Sequence, residues 1–475
     1  MTIKNIISTA LFACCILTGT SCSDFLDIEP DSSQSVTNSY KTESDIKQGV
    51  EGAYSALMGN AQYGGDFIYL MEIRSDNSFT ESITNKSGIY GDIDLFRETS
   101  YNVLLEESWE GCYDGIKRCN LVLDKIDAVE MEEAIKNKYK GEMLFVRGLT
   151  YFNLVRLWGD VPLATHFYDD PFEAFKLGRT PIAEVYQQIE EDLKNAASLL
   201  PTARDSKRKG APIAMSAKSL LGKVLLTEGK YADALAVLKE VINSGTYSFM
   251  DSYADIFNTK NKNNAESIFE IQYSDAVTDL GSAFANIFAP IGSKDVTGGV
   301  GSTEGNNEPT DELLNAYEKG DVRKNVSIGS LADGRHYCKK FVTKPVLPNQ
   351  SDANFIVLRY TDVLMMYAEC LLKTQSTVPS EAVEIINKVR SRAGLSPLTD
   401  AETLTADAFD AALQKERRFE FAFENQRWFD LLRTGKALET MNAKGSNIKE
   451  YQLLFPVPQT QLDISPETMK QNAEY

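Results

Sequence analysis

"AKSLLGKVLLTEGKYADALAVLKEVINSG", residues 217–245, carries two apolar stripes at helical spacing with a glycine between them. Gly222 and Ala234 are small where two helices must approach, and Leu221 and Leu238 are large where a groove must be filled. Gly229 and Tyr231 stand at the joint, one to end a helix and one to open the next. Any helix pair would share the apolar spacing, but not this glycine and tyrosine set. A second stretch, "DVLMMYAECLLKTQSTVPSEAVEIINKVRSRAGL" at 362–395, has the same rhythm, with Ala382 and Ile386 at the corresponding offsets. A scaffold of helical hairpins is expected.

These are the offsets of a tetratricopeptide repeat. Helical periodicity continues on both sides, predicting helices over about 44–59, 106–128, 132–158, 181–200, 214–228, 231–244, 360–373, 379–393 and 405–434. Two regions break the pattern. Residues 60–104, with "NAQYGGDFIYLMEIRSDNSFTESITNKSGIYGD", are rich in Gly, Asn, Ser, Asp and aromatics, and residues 245–358 include "GSKDVTGGVGSTEGNNEP". Loops of this length on a compact scaffold are usually functional or disordered. Short strands are expected at "SIFEIQYS" and "HYCKKFV" beside the second.

Composition removes some classes of function. A net charge of −19, from 49 basic and 68 acidic residues, argues against broad electrostatic binding to nucleic acid or anionic lipid. Hydrophobic content of 43% argues against wholesale disorder. Lys4, the apolar run "IISTALFACCILTG" and the polar residues up to Cys22 predict a signal peptide over 1–21. The run is too short for a membrane span. The cysteine at the junction resembles the lipobox of a bacterial lipoprotein, which makes Cys22 the expected lipidation site. "GTS" lacks the usual leucine three places earlier; "LFAC" at Cys14 fits those letters better but leaves a very short apolar run. Secretion with Cys22 unmodified is the alternative. An acyl chain would hold the protein at a membrane surface without spanning it.

Cys112, Cys119, Cys338 and Cys370 are read as buried thiols. Cys112 and Cys119 lie about 10 Å apart along a helix axis, too far for a disulfide. His166 and His336 stand outside ligand spacing, giving little support to a histidine zinc site or a Ser-His-Asp triad.

Several further segments, in order, resemble one family. "CSDFLDIEP" (22–30), "SWEGCYDGIKRCNLVLDKI" (108–126) and "EMLFVRGLTYFNLVRLWGDVPL" (142–163) are similar to the start, first long helix and "GDVPL" motif of the SusD/RagB proteins. Gly148 stands where alanine is commoner there. "EPTDELLNAYEKGDVR" (308–323), "VLRYTDVLMMYAECL" (357–371), "INKVRSRAGL" (386–395), "ERRFEFAFENQRWFDLLRTG" (416–435) and "LFPVPQTQLDISPETMKQNAEY" (454–475) continue the likeness, although "QNAEY" departs from the family's usual ending. The resemblance implies a mainly α, SusD-like fold of about four tetratricopeptide-type hairpins, with a second, irregular lobe of long loops and a few short strands. It divides 22–475, as a single unit, into a tether (22–43), an N-terminal helical half (44–244), a loop-rich insertion (245–358) and a C-terminal helical half (359–475). It further implies a lipid-anchored cell-surface protein of the outer membrane, a binder and not an enzyme. Such a protein captures an oligosaccharide, or in some members an oligopeptide, as the lid of a SusC-like TonB-dependent transporter.

Sugar capture requires flat aromatic faces and hydrogen-bonding side chains. Trp109, Trp158 and Trp428 sit in framework motifs and are expected in the core. The candidates are Tyr63, Phe67, Tyr69, Arg74, Asp76, Asn77, Phe79 and Tyr90 in the first irregular region, and Phe284, Asn286 and Phe288 in the second. Each alone is more simply a loop residue, so the expectation concerns the two regions jointly. The lack of a spare tryptophan suits peptides, which amides and modest aromatic pockets hold, and the two ligand classes stay close. No cofactor is implied; carboxylates in 66–77 or 293–299 leave a structural calcium ion open, without a D-x-D-x-D-G loop. A secreted glycoside hydrolase or peptidase and a protein-only repeat scaffold are the other classes. Finally, 416–435 reads as one buried helix, with Glu424–Arg427 and Asp430–Arg433 paired within a turn and Gly435 ending it.

Overall fold

The structure, a computed structural model, describes residues 39–84 and 88–475. The signal peptide, Cys22 and most of the tether lie outside the described residues. Residues 1–41 and 42–475 separate as two units, and the helices and strands described all belong to the second.

Among the described residues, four helical pairs carry the scaffold. Helix α1 (Glu43–Met58) packs on α2 (Val103–Lys125), α3 (Glu133–Trp158) on α4 (Ile182–Leu199), α5 (Ala214–Thr227) on α6 (Tyr231–Asn243), and α7 (Tyr360–Thr374) on α8 (Ser380–Arg392). The second helix of each pair also meets the first of the next, which makes a continuous repeat array. The 217–245 stretch explains one pair in detail. Gly229 takes a left-handed φ of 75°, while the Lys230 N–H reaches back to the Leu225 carbonyl at 2.9 Å, closing α5 in a Schellman turn. A Cβ at Gly222 would press into Leu238, whose Cγ would lie 2.7 Å away, so the pair closes only with glycine there. Leu221, Ala234 and Leu238 are buried between them.

The irregular lobe grows from two connections, α1 to α2 and α6 to α7. Among the described residues it contains three two-stranded antiparallel sheets: β1 (Ser78–Phe79) with β3 (Glu308–Pro309), β2 (Ser267–Ile271) with β6 (Phe355–Arg359), and β4 (Ile328–Ser330) with β5 (His336–Cys338). Trp109, Trp158 and Trp428 are all buried, as are the four described cysteines, each a free thiol. Among the described residues, no helix is long and apolar enough to cross a membrane.

The expected helix over 405–434 is two helices. Helix α9 ends at Glu420 (Ala406–Glu420) and α10 begins at Arg427 (Arg427–Arg433). Between them Phe423 and Asn425 take left-handed φ values of 68° and 57°. Their N–H groups donate to the two oxygens of buried Glu72, at 2.9 and 2.8 Å. One distant carboxylate thus satisfies the donors that the break leaves open. The ion pairs differ accordingly. Asp430 pairs with Arg433 at 2.8 Å as expected, but Glu424 turns to Arg359 and Lys340, at 2.7 and 2.8 Å, and Arg427 to Asp76 at 2.7 Å. Glu420 meets Arg359 and Arg392, at 2.7 and 2.5 Å. Burial raises its carboxyl pKa, yet Arg392, Arg359 and Arg323 outweigh this and bring it down to about 2.

Candidate functional site

The two irregular regions meet. Past the β1–β3 pair, the Glu81 N–H donates to the Gly305 carbonyl at 2.7 Å, and the Ser82 hydroxyl donates to the Glu304 carbonyl. The Ile291 N–H donates to the Glu81 carboxylate at 2.7 Å. From a third segment, the Arg335 guanidinium donates to the Ile291 carbonyl at 2.8 Å and pairs with Asp333 at 2.9 Å and Glu81 at 3.4 Å. Glu81 is therefore the pin joining loops 80–84, 289–305 and 333–335.

The residues expected to contact ligand are packed inside the protein instead. Tyr63, Phe67, Tyr69, Arg74, Asp76, Asn77, Tyr90, Phe284, Asn286 and Phe288 are all buried, and Phe79 is half-buried. The expected stacking platform of exposed aromatic faces is not formed by them, because long insertions on a small scaffold need an apolar floor of their own. Tyr69 stacks on Tyr90 with ring centres 4.3 Å apart, and its hydroxyl accepts from Asn306 at 2.8 Å. Phe284 stacks on Phe288 at 5.5 Å and touches Tyr273 and Phe355, while Tyr63 meets Phe67 edge-on. The Asn286 amide donates to the Val300 and Ser302 carbonyls, at 2.9 and 2.8 Å, bracing loop 289–305 from within. Arg74 pairs with Glu98 and lies over Phe96 and Phe455. Asp76 is held by Arg427 and Arg418, and the Asn77 side-chain oxygen accepts from Arg418 at 2.8 Å. Burial raises the Asp76 pKa, but the two arginines outweigh it, so the carboxylate stays ionised.

What faces outward is a different set, which includes Glu81, Ile83, Ile291, Thr303 and Arg335. Ile83 and Ile291 are 42% and 40% exposed. Loops 80–84 and 289–305 contain no aromatic residue, so their outward apolar faces are aliphatic. Behind them sits Glu308, only 3% exposed, its pKa pushed up to about 8 by burial and by Glu81, against the pull of Arg335. Glu81 and Glu308 do not form a hydrolytic acid–base pair. One is tied to Ile291 and the other is shut away from any substrate. The rim offers the Glu81 carboxylate, the Arg335 guanidinium and the Thr303 hydroxyl beside the apolar faces of Ile83 and Ile291, donors and acceptors next to small hydrophobic patches. Among the described residues, no cluster of three or more His, Cys, Asp and Glu is placed to hold a metal ion. No sequence signal marked Glu81, Ile291 or Arg335; contacts across more than two hundred residues bring them together.

Known proteins share this architecture. Residues 24–226 match the family described as starch-binding and associating with the outer membrane, and residues 324–475 match the SusD family. The chain belongs to the SusD/RagB family. It is 26% identical to SusD-like protein P25 of Formosa agariphila, over 100% of this chain and 99% of that one. A laminarin-binding SusD-like protein of solved structure is 28% identical, with a TM-score of 0.80 over 92% of this chain and 100% of that one. A SusD superfamily protein from Parabacteroides distasonis is 27% identical, with a TM-score of 0.79 over 91% and 99% of the two chains.

Proposed function

We propose that this protein captures an oligosaccharide on the face formed by loops 80–84, 289–305 and 333–335. In this reading it is held at the cell surface of the outer membrane by a lipid on Cys22 and acts as the lid of a SusC-like TonB-dependent transporter. It binds and does not cleave. The observation that carries the reading is the likeness to a laminarin-binding SusD-like protein along nearly the whole chain, at 28% identity and a TM-score of 0.80. The rim chemistry supports it, because hydroxyl-rich ligands need acceptors and donors set beside small apolar faces.

The test is a binding screen of residues 23–475 against glycan and peptide panels, with laminarin among the glycans. Saturable retention of a glycan is expected, with recovery of the glycan intact. Retention of peptides alone, or release of shortened glycan, overturns the reading. For the lid role, deletion of the gene is expected to slow nutrient uptake most at low concentration. Uptake unchanged at every concentration would remove that part.

A further inference from the structure

A cleft of about 560 Å³ opens elsewhere on the unit, between α1, the turn at 208–211 and the segment that follows β2. That is large enough for a small ligand. Its floor is apolar, built from Leu57, Met58, Phe269 and Tyr273. At one end Arg208 is shared by Glu51 and Glu142, at 3.1 and 2.7 Å, so two carboxylates face one cation. This end repels anions and offers acceptors to hydroxyl donors. Ser55 stands exposed on α1, and among the described residues its hydroxyl has no partner. Ser274 lines the other side, accepting only the Ala276 N–H at 3.3 Å, which leaves its proton available.

We infer that this cleft is a second carbohydrate subsite, taking one or two neutral sugar units, apart from the loop face. The inference rests on the glycan reading above. An apolar floor bordered by a carboxylate and two hydroxyls matches a sugar ring, which presents C–H patches on its faces and hydroxyls at its edge. Addition of a peptide strand to β2 fits less well. The Ile268 and Glu270 carbonyls of that strand are already taken by the Ser216 hydroxyl and the Gln272 amide. A second subsite would raise the retention of a long glycan through effective concentration, without a tighter primary site.

The experiment is a crystal soak with laminaribiose, paired with calorimetric titration of the same disaccharide into residues 23–475 and into Ser55→Trp. Ser55 is exposed on α1, so the indole fills the cleft without disturbing the core, and an unchanged melting temperature checks this. The expected result is disaccharide density in the cleft and two binding events in the wild type. In Ser55→Trp the cleft event is weakened by about tenfold or more while the loop-face event is retained. Sugar at the loop face alone, or two events untouched by Ser55→Trp, overturns the second subsite and leaves the proposed function standing. Sugar at neither place overturns the second subsite, while the proposed function falls only if the whole glycan panel also fails to bind.

Discussion

Glu72 shows what a single buried carboxylate can decide. It sits in the first irregular region and holds the N–H groups of Phe423 and Asn425, which convert an expected long helix into α9, a left-handed break and α10. Burial pushes its pKa up to about 7, with the two backbone donors pulling the other way. Nothing in "ENQR" announces this break, because its cause lies some three hundred and fifty residues earlier. Gly222 is the opposite case, since its role was legible from the repeat offsets and recurs in the close approach to Leu238. Both residues can be tested by substitution. Glu72→Ala leaves two buried donors unpaired and should cost at least about 2 kcal/mol in chemical denaturation. A loss under half of that would show that the break holds without it. Gly222→Val should cost about 1–3 kcal/mol by overpacking the α5–α6 contact, and a melting temperature equal to wild type would refute the close-approach argument.

Among elements, the helices were legible and the loop junction was not. Helix α5, helix α6 and their glycine turn follow from apolar spacing and one left-handed residue, both local properties. The aromatic loops misled for a physical reason. Tyr69, Tyr90, Phe284 and Phe288 look like a binding platform in sequence, but the lobe consumes them as its own core. The two irregular regions, 60–104 and 245–358, do meet, at a junction built from Glu81, Ile291 and Arg335. This junction should respond to pH. The Glu308 pKa is raised from an ordinary 4.5 to about 8, so its stabilising contribution is complete below about 4.5 and disappears as pH rises through 8. Ionised Glu308 then faces Glu81, with Arg335 and Asp333 as the charged neighbours. The Ile291 amide should accordingly lose hydrogen-exchange protection between pH 7 and 9, and Glu308→Gln should abolish that loss. Protection that stays flat in the wild type would contradict the carboxyl pair.

At the scale of the whole molecule, one network of ionic residues lies inside. Arg323, Arg359 and Arg392 meet Glu266, Glu416 and Glu420 where almost no solvent reaches, joining the short helical turn at 322–327, the residue before β2, the end of β6, α8 and α9. Buried pairs of this kind are costly to break singly, which ties the lobe and the repeats into one unit. The loop rim and the cleft beside α1, where ligand binding is proposed, are surface that the framework does not use. Family and fold were legible because framework motifs repeat a packing solution that sequence records locally. The loop face proposed to bind ligand was only half legible, since its residues are chosen by contacts across the chain. The most direct measurement is calorimetric titration of glycans, laminarin among them, into residues 23–475 and into the Ile83→Ala/Ile291→Ala double variant. Both side chains are exposed, so the fold should stand. Saturable glycan binding that weakens about tenfold or more in the double variant is predicted. Glycan binding unaltered by the substitutions, or none in the wild type across the panel, would contradict capture at this face.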